Sequence, residues 1–456
     1  MNVSFFSDLL ATISERGRGL MGLGRDADEA GVEGILKSCR DLLSRRGEAS
    51  GVALARAILD RYETLPRPER YAFLTAVAEE FAVDEAALTR ALDAYRSAPS
   101  RTAAGALHAA AEPRSQELIR RLNLADGGTV SLVHMREDLL DLVRGLRADP
   151  AAPATLEALD GLDGDFVHLF SSWFNRGFLV LRRIDWTTPA NILEKIIRYE
   201  AVHEISDWDD LRRRIAPVDR RCFAFFHPAL VDEPLIFVEV ALTGGVPDAI
   251  EPILSKSREP IPLASATTAT FYSISNCQRG LAGVSFGNFL IKQVVEDLCR
   301  ELPRLRTFAT LSPVPGFAAW LAQERAADAG AIAGEERDTL RLLDEPDWHL
   351  DAEKAEAVRA VLVPAAAAYF LRAKGANGRP LDPVARFHLG NGARLERLNF
   401  LGDVSAKGLK QSHGLMVNYL YDLDTIERHH EAYADLGTVT ASPAVQRALR
   451  DFALPA

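Results

Sequence analysis

Apolar residues recur at intervals of three and four in the first part of the chain, as in residues 52–59 (VALARAIL) and 118–122 (LIRRL). This spacing places the apolar side chains on one face of a helix. The pattern therefore predicts an all-helical domain over residues 1–173.

Short joints with Pro or Gly interrupt the helical pattern at residues 65–68 (LPRP), 98–100 (APS) and 126–128 (DGG). Such breaks predict consecutive antiparallel helices of a bundle rather than one long helix. Residues 100–112 are rich in alanine and low in aromatic residues. That composition suits either a flexible connection or a plain helix.

After residue 173 the pattern changes to short apolar runs rich in β-branched and aromatic residues, which predict buried strands. A helix opened by Thr188-Pro189 separates the first two runs. The predicted strands cover residues 178–181, 221–227, 235–242, 271–275, 307–311, 394–399 and 415–420. Strands mixed with helices in this way predict an α/β or α+β domain over residues 174–456.

The composition is that of a globular protein, with 456 residues of which 48% are hydrophobic and 26% charged. The formal net charge of -11 argues against a general binder of nucleic acid or anionic membranes, because such surfaces need a basic field. No run approaches the roughly 18 apolar residues that a membrane span needs. We therefore expect neither nucleic acid nor membrane as a partner.

The four cysteines, Cys39, Cys222, Cys277 and Cys299, lie far apart and show no metal-ligand spacing. This distribution predicts no zinc site and requires no disulfide framework. The last residues, 452–456 (FALPA), carry no Ser-Lys-Leu peroxisomal address. We therefore expect a cytoplasmic location.

The segment 271–317 reads as strand, glycine-rich loop, helix, strand and Ser-Pro turn. Its loop, residues 280–287 (GLAGVSFG), leads into a helix whose free N–H groups and dipole favour a phosphate. The loop matches neither the dinucleotide fingerprint nor the P-loop, and taken alone it is more typical of a plain turn. The order of elements nevertheless indicates a phosphorylated ligand, most simply a coenzyme.

Four cations lie close to this loop, either in sequence or in the predicted fold: Lys256, Arg258, Arg279 and Lys292. They suit either a locally basic pocket for an anionic ligand or ordinary solvated surface charges.

The second half of the chain also carries, in order, motifs of a known family. They are residues 178–186, 200–203 (EAVH), 220–227 (RRCFAFFH), 271–275 with the loop and helix that follow, 311–317 (LSPVPGF), 387–393 (FHLGNGA) and 414–421 (GLMVNYLY). On these residues the chain resembles the malonyl-CoA decarboxylase family. The first 173 residues resemble that family only in length and helical character.

The resemblance implies an α+β multidomain architecture. An N-terminal all-α helical bundle, residues 1–173, would mediate self-association as a dimer or tetramer. Residues 174–456 would form a GNAT-like α/β catalytic domain, similar to acetyltransferases. The implied activity is that of a carboxy-lyase acting on malonyl-CoA.

This chemistry needs no metal and no organic cofactor, because malonyl-CoA is a β-carboxy thioester. Loss of CO2 leaves negative charge that spreads onto the thioester oxygen as an enolate. The protein has to hold the CoA diphosphate, align the carboxylate, stabilise the enolate and deliver a proton. The chain accordingly shows no motif for metal, pyridoxal or thiamine.

The resemblance also assigns catalytic residues. His388 is the candidate proton donor, since the pKa of a free imidazole lies near neutrality, and its neighbours predict an open loop end. Ser312 would hydrogen-bond the departing carboxylate or the thioester and relay a proton, and it lies in no nucleophile elbow. Tyr421 would orient His388 or the substrate. Without the resemblance, the three would be assigned to the surface, to a turn and to the core.

The matching loop positions would bind the diphosphate through backbone N–H groups. They are Ala282, Gly283, Val284, Ser285, Phe286, Gly287 and Asn288.

Two alternatives stand beside this hypothesis. A GNAT-like acyltransferase would use the same coenzyme site but would need an acceptor amine. A non-catalytic acyl-CoA sensor would bind the ligand without consuming it.

Overall fold

The computed structural model describes residues 31–44, 48–148, 153–284, 290–327, 332, 334–375 and 378–450. The described chain forms two compact units. The first falls within Met1–Leu179, His227–Val231 and Gln278–Phe286, and the second within Val180–Phe226, Asp232–Cys277 and Gly287–Ala456. Over these described ranges, no helix combines the length and the apolar composition that crossing a membrane requires.

The first unit is built of helices, as the spacing of its apolar residues predicts. They are α1 (Val32–Ser44), α2 (Glu48–Thr64), α3 (Arg67–Glu80), α4 (Glu85–Ser97), α5 (Arg101–Ala111), α6 (Arg114–Leu122), α7 (Gly128–Arg147) and α8 (Pro153–Trp173). The three predicted joints each coincide with a boundary between helices, and residues 67–68 and 128 already belong to the helices that follow. The alanine-rich stretch is the helix α5, opened by Ser100, whose hydroxyl accepts the N–H of Ala103.

A buried arginine ties the start of the glycine-rich segment to the helical unit. Arg136 on α7 is only 2% exposed and donates to Asp163 at 2.8 Å and to the carbonyl of Gly280 at 2.7 Å. Gly280 lies so close to α7 that a Cβ atom there would stand 2.0 Å from the carbonyl oxygen of Val133. Glycine is required at this position because of that contact.

The second unit contains a mixed sheet. Its strands are β1 (Val180–Ile184), β2 (Arg220–Phe226), β3 (Pro234–Thr243), β4 (Thr268–Asn276), β5 (Thr307–Thr310), β6 (Ser312–Pro313), β7 (Arg394–Asn399) and β8 (Met416–Leu420). The order in the sheet is β1-β2-β3-β4-β5-β8-β6, and β7 also pairs with β8. All pairs are antiparallel except β4 with β5.

Helices accompany the strands along the second unit. They are α9 (Ala190–Tyr199), α10 (Trp208–Ile215), α11 (Glu251–Leu254), α12 (Leu290–Glu301), α13 (Phe317–Ala326), α14 (Gly334–Thr339), α15 (Ala352–Leu371), α16 (Pro383–Gly390), α17 (Ala406–Ser412), α18 (Ile426–Leu436) and α19 (Pro443–Arg450). The predicted fold class, a helical N-terminal region followed by an α/β domain, is confirmed.

Two details of the strand prediction need correction. The first strand begins at Val180, because Phe178 belongs to a 3-10 turn. The ring of Phe178 lies nearly perpendicular to that of His227, with the ring centroids 6.1 Å apart. The predicted Ser-Pro turn is the short strand β6, in which Ser312 pairs with Val417 of β8.

The parallel strands β4 and β5 diverge at one point of the sheet. β4 and β5 pair only as far as Phe271 with Thr310, and the N–H of Leu311 makes one more bond to the Phe271 carbonyl. Beyond it β4 continues alongside β3, whereas the other chain turns onto β8. Ser312 lies directly after this divergence.

The contact at Gly280 leads to a prediction about stability. Gly280→Ala should lower the free energy of unfolding by about 1–3 kcal/mol, because the methyl group overlaps the Val133 carbonyl and forces the backbone to move. Gly161→Ala is the control, since a Cβ at position 161 of α8 meets no atom within 4 Å. Denaturant unfolding of the three proteins measures the effect, and equal stability of Gly280→Ala and wild type would contradict it.

Candidate active site

His388 lies in the last turn of helix α16. The helix is opened by Asp382, whose carboxylate accepts the N–H of Ala385 at 2.8 Å, and by Pro383 at its first position. The imidazole is 3% exposed. The prediction that His388 lies at an open loop end is therefore wrong. The residue is buried on a capped helix.

The chain after His388 is fixed by Asn391 and Gly392. Asn391 keeps an ordinary backbone with φ of -90° and donates its side-chain amide to the Phe387 carbonyl at 2.8 Å. Gly392 takes the left-handed conformation with φ of 81°, where a Cβ would stand 2.2 Å from the Ile426 carbonyl. His430 donates Nδ1 to the Gly390 carbonyl at 2.7 Å. The end of α16 is thereby held on α18.

The three predicted catalytic side chains meet in one hydrogen-bonded chain. The Nε2 atom of His388 lies 3.2 Å from the Ser312 hydroxyl, and its Nδ1 atom lies 2.8 Å from the Tyr421 hydroxyl. All three residues are at most 5% exposed. The structure thus brings His388, Ser312 and Tyr421 together across separations of 76 and 33 residues.

Strand β8 explains how these distant residues converge. It pairs with β6 at Ser312, and the chain just beyond its end donates the N–H of Tyr421 to the Phe308 carbonyl of β5 at 2.8 Å. Ser312 and Tyr421 therefore have fixed positions in one sheet. Helix α16 then has only to present one ring to both.

Two further residues complete the site and were not predicted. Thr310 Oγ1 accepts the hydroxyl of Ser312 at 2.9 Å. The ring of Tyr419 stacks on the imidazole of His388, with centroids 4.5 Å apart and planes 26° apart. Thr310 lies two residues before Ser312, and Tyr419 lies two residues before Tyr421. Because side chains two residues apart on a strand point to the same face, this spacing could have predicted both residues.

Burial sets the protonation of the site. It lowers the pKa of His388 to about 3 and raises the pKa of Tyr421 well above its usual value. At neutral pH the imidazole is therefore neutral and the tyrosine keeps its proton. The prediction of a donor with an unperturbed pKa is corrected: His388 has a single N–H to give.

The predicted diphosphate loop is described only in part. Ala282 and Gly283 are exposed, Val284 is buried, and Gly283 is left-handed with φ of 79°. Ser285, Phe286, Gly287 and Asn288 lie outside the described residues. The helix that follows, α12, begins at Leu290.

Three of the four cations near the loop have carboxylate partners. Arg258 makes two hydrogen bonds to Asp219, at 2.8 and 3.0 Å. Lys292 donates to Glu427 at 2.8 Å, and Arg279 donates to Asp141 at 3.2 Å. These contacts fit ordinary ion-paired cations better than a basic pocket. Within the described ranges, no cluster of three or more His, Cys, Asp or Glu side chains could hold a metal ion.

Family models match most of the chain. The malonyl-CoA decarboxylase C-terminal domain matches residues 177–454, and the N-terminal domain of the same family matches residues 81–174. The first match alone covers more than half of the sequence.

Curated relatives give the same result. A mitochondrial malonyl-CoA decarboxylase of Anser anser anser is 37% identical over 359 residues, which are 73% of this chain and 69% of the relative. The protein of the same name from Rattus norvegicus is 35% identical over 369 residues, 75% of this chain and 72% of the relative.

Solved structures agree as well. A malonyl-CoA decarboxylase from Rhodopseudomonas palustris superposes with a TM-score of 0.87 and 60% identity, covering 92% of this chain and 100% of that one. One from Cupriavidus metallidurans gives a TM-score of 0.69 and 37% identity, covering 92% and 99%.

The neutral state of His388 predicts a pH effect on stability. In the unfolded chain the imidazole binds a proton below its usual pKa of about 6.5. In the folded protein burial lowers that pKa to about 3, so the same proton binds only near pH 3. The contribution of His388 to the free energy of unfolding is therefore complete above about pH 6.5 and is lost as the pH falls from there towards pH 3. From pH 7 to pH 5, wild type should lose about 2 kcal/mol more than His388→Asn.

Urea unfolding at the two pH values measures this difference. The exposed His134 supplies the control, since His134→Asn should follow wild type. The same pH dependence in wild type and His388→Asn would show that the imidazole is charged in the folded protein.

Proposed function

Since the chain belongs to the malonyl-CoA decarboxylase family and converts malonyl-CoA to acetyl-CoA and CO2, we propose that His388, Ser312 and Tyr421 carry out this reaction. The observation that supports the assignment is the continuous hydrogen-bonded chain from Tyr421 through His388 to Ser312. It connects a proton donor with a hydroxyl, as protonation of a carbanion requires.

The first step breaks the bond between the carboxylate and the α-carbon of the malonyl group. Its electron pair moves onto the thioester as an enolate, and CO2 leaves. The Ser312 hydroxyl hydrogen-bonds the departing carboxylate or the thioester in this step. No acyl-enzyme forms, because the carbon skeleton of the coenzyme thioester stays intact.

The second step delivers one proton to the α-carbon. Ser312 gives its hydroxyl proton to the carbon and takes the proton of His388 Nε2, while Nδ1 takes the proton of Tyr421. Nδ1 then returns its proton to Tyr421 and Nε2 takes one from solvent through Ser312, so the imidazole regains its starting N–H and each turnover consumes one proton. The imidazole stays neutral throughout, which agrees with its buried position and with the absence of a carboxylate partner in the part of the chain that the structure describes.

The substrate's coenzyme part binds at residues 282–288 in this proposal. Two properties of the described part of the loop support it. Gly283 is exposed and left-handed, so its backbone is open to a ligand. The loop also precedes helix α12, whose first N–H groups favour a diphosphate.

Activity measurements test the catalytic assignment. His388→Asn and Ser312→Ala should each lower kcat for CO2 release by roughly two orders of magnitude or more, because each interrupts proton delivery. Thermal unfolding of each variant shows whether it is folded. Near-wild-type kcat in either folded variant would remove that residue from the mechanism.

The same assay separates the alternatives. An acyltransferase would form product only after an amine is added, and a sensor would bind malonyl-CoA without consuming it. Mass spectrometry of the products without any amine distinguishes all three functions.

We also propose the division of the chain into a self-association domain, residues 1–173, and a catalytic domain, residues 174–456. Helices α4 and α5 support it, since they pack against each other and none of their residues is buried. Leu88 and Leu92 of α4 share one side of that helix and are only half-buried. A second copy of the chain would cover this apolar side.

A charged substitution on the apolar side of α4 tests the proposed self-association. Leu88→Glu should shift the full-length protein to a smaller mass in light scattering after gel filtration, because a buried unpaired carboxylate opposes association. Arg90→Glu on the opposite side of α4 should leave the mass unchanged. A monomeric wild type, or an unchanged mass for Leu88→Glu, would exclude this surface.

A cytoplasmic location remains part of the proposal. All four cysteines are free in the structure, as a reducing compartment favours. The curated relatives are named mitochondrial, and a mitochondrial matrix would keep the same thiols reduced.

A further inference from the structure

We infer that Thr310 is a positioning residue that decides which nitrogen of His388 carries the transferable proton. The inference rests on the proposed roles of His388 and Ser312. Thr310 is fully buried at the end of β5 and lies two residues before Ser312 on the same strand path. Its described hydrogen bonds go to Ser312, Asn418 and Tyr419 and not to the imidazole, and in this proposal it does not contact the substrate.

The hydroxyl oxygen of Thr310 accepts two hydrogen bonds. Its oxygen accepts the backbone N–H of Tyr419 at 3.1 Å, a group that can only donate. The same oxygen accepts the hydroxyl of Ser312 at 2.9 Å. Before the substrate binds, the single proton of Ser312 therefore points at Thr310 and away from His388.

The next contact follows from this orientation. Ser312 Oγ and His388 Nε2 lie 3.2 Å apart, and one of them has to supply the proton between them. Because the Ser312 proton is already directed to Thr310, Nε2 must be the donor. A neutral imidazole has one N–H, so Nδ1 is bare and accepts the hydroxyl of Tyr421 at 2.8 Å.

All the hydrogen bonds of the site then run in one direction, from Tyr421 through His388 and Ser312 to Thr310. As far as Ser312, this is the direction in which a proton must travel to reach the substrate, which then takes the Ser312 proton in place of Thr310. With the opposite tautomer, Ser312 would donate to Nε2 and Nδ1 would donate to Tyr421. The relay would then lead away from the enolate.

Thr310 is itself held rigidly. Its carbonyl accepts the side-chain amide of Asn418 at 2.7 Å. The amide oxygen of Asn418 accepts from Arg397 at 3.0 Å and from Asn399 at 2.9 Å, so this amide cannot turn over without losing both bonds. The acceptor for Ser312 therefore has a fixed position on β5.

The test removes the hydroxyl of Thr310 and keeps its shape. Thr310→Val frees the Ser312 proton to bind Nε2 and should lower kcat by about 10- to 100-fold, with KM within about twofold of wild type. Thr310→Ser restores the hydroxyl and should recover most of the activity. Thr270→Val is the control, since Thr270 is equally buried on neighbouring β4 and bonds only Thr243 among its described side-chain partners.

A spectroscopic measurement reports the tautomer without any turnover. Nitrogen NMR of protein labelled with 15N-histidine, with the signals of His388 identified by their loss in His388→Asn, should show a proton on Nε2 in wild type and Thr310→Ser. In Thr310→Val the proton should move to Nδ1, wholly or in part. Thr270→Val should give the wild-type signals.

Each result decides the inference. A wild-type imidazole with its proton on Nδ1 overturns it, as does a normal kcat in folded Thr310→Val, or a folded Thr310→Ser as slow as the valine variant. If Thr310→Val does not fold, the wild-type tautomer and the activity of Thr310→Ser decide. An active His388→Asn would refute the catalytic proposal instead, and the nitrogen signals would still show what Thr310 does.

Discussion

The burial of one imidazole without a charged partner is the constraint on which the site depends. Among the described residues no carboxylate compensates His388, so its ring stays neutral and can act only by exchanging its single N–H between neighbours. Tyr421 and Ser312 supply those neighbours on opposite nitrogens, and Tyr419 holds the ring flat between them. The site therefore transfers a proton without holding a net charge. This suits a substrate whose thioester takes up the electron pair left by CO2.

The sheet provides the precision that such a relay needs. Strand β8 pairs with β5, β6 and β7, and these pairings fix the residues on either side of the imidazole. Strand register allows no gradual adjustment, because a slip of one residue turns every side chain to the other face. The capped helix α16 adds the third component from outside the sheet.

Much of this fold could be predicted from the sequence, and the site only in part. Periodicity predicted the helices of the first unit and nearly every strand, because those signals are local. The meeting of Ser312, His388 and Tyr421 is produced by pairing between distant segments, which no local pattern contains, and here the family motifs predicted it. Thr310 and Tyr419 were missed, although each lies two residues from a predicted residue. The burial of His388 was also missed, because the glycines after it suggested a loop rather than the end of a helix.

The contact between Arg136 and Gly280 has a consequence for dissecting the protein. The guanidinium is buried, and one of its acceptors comes from a residue more than a hundred positions downstream. A fragment truncated at residue 173 would retain the cation but lose that carbonyl and the segment packed on α7. A cut at residue 173 therefore divides the first compact unit, which includes Gln278–Phe286. Limited proteolysis or domain swapping between homologues would succeed only if the segment at 280 travelled with the amino-terminal helices.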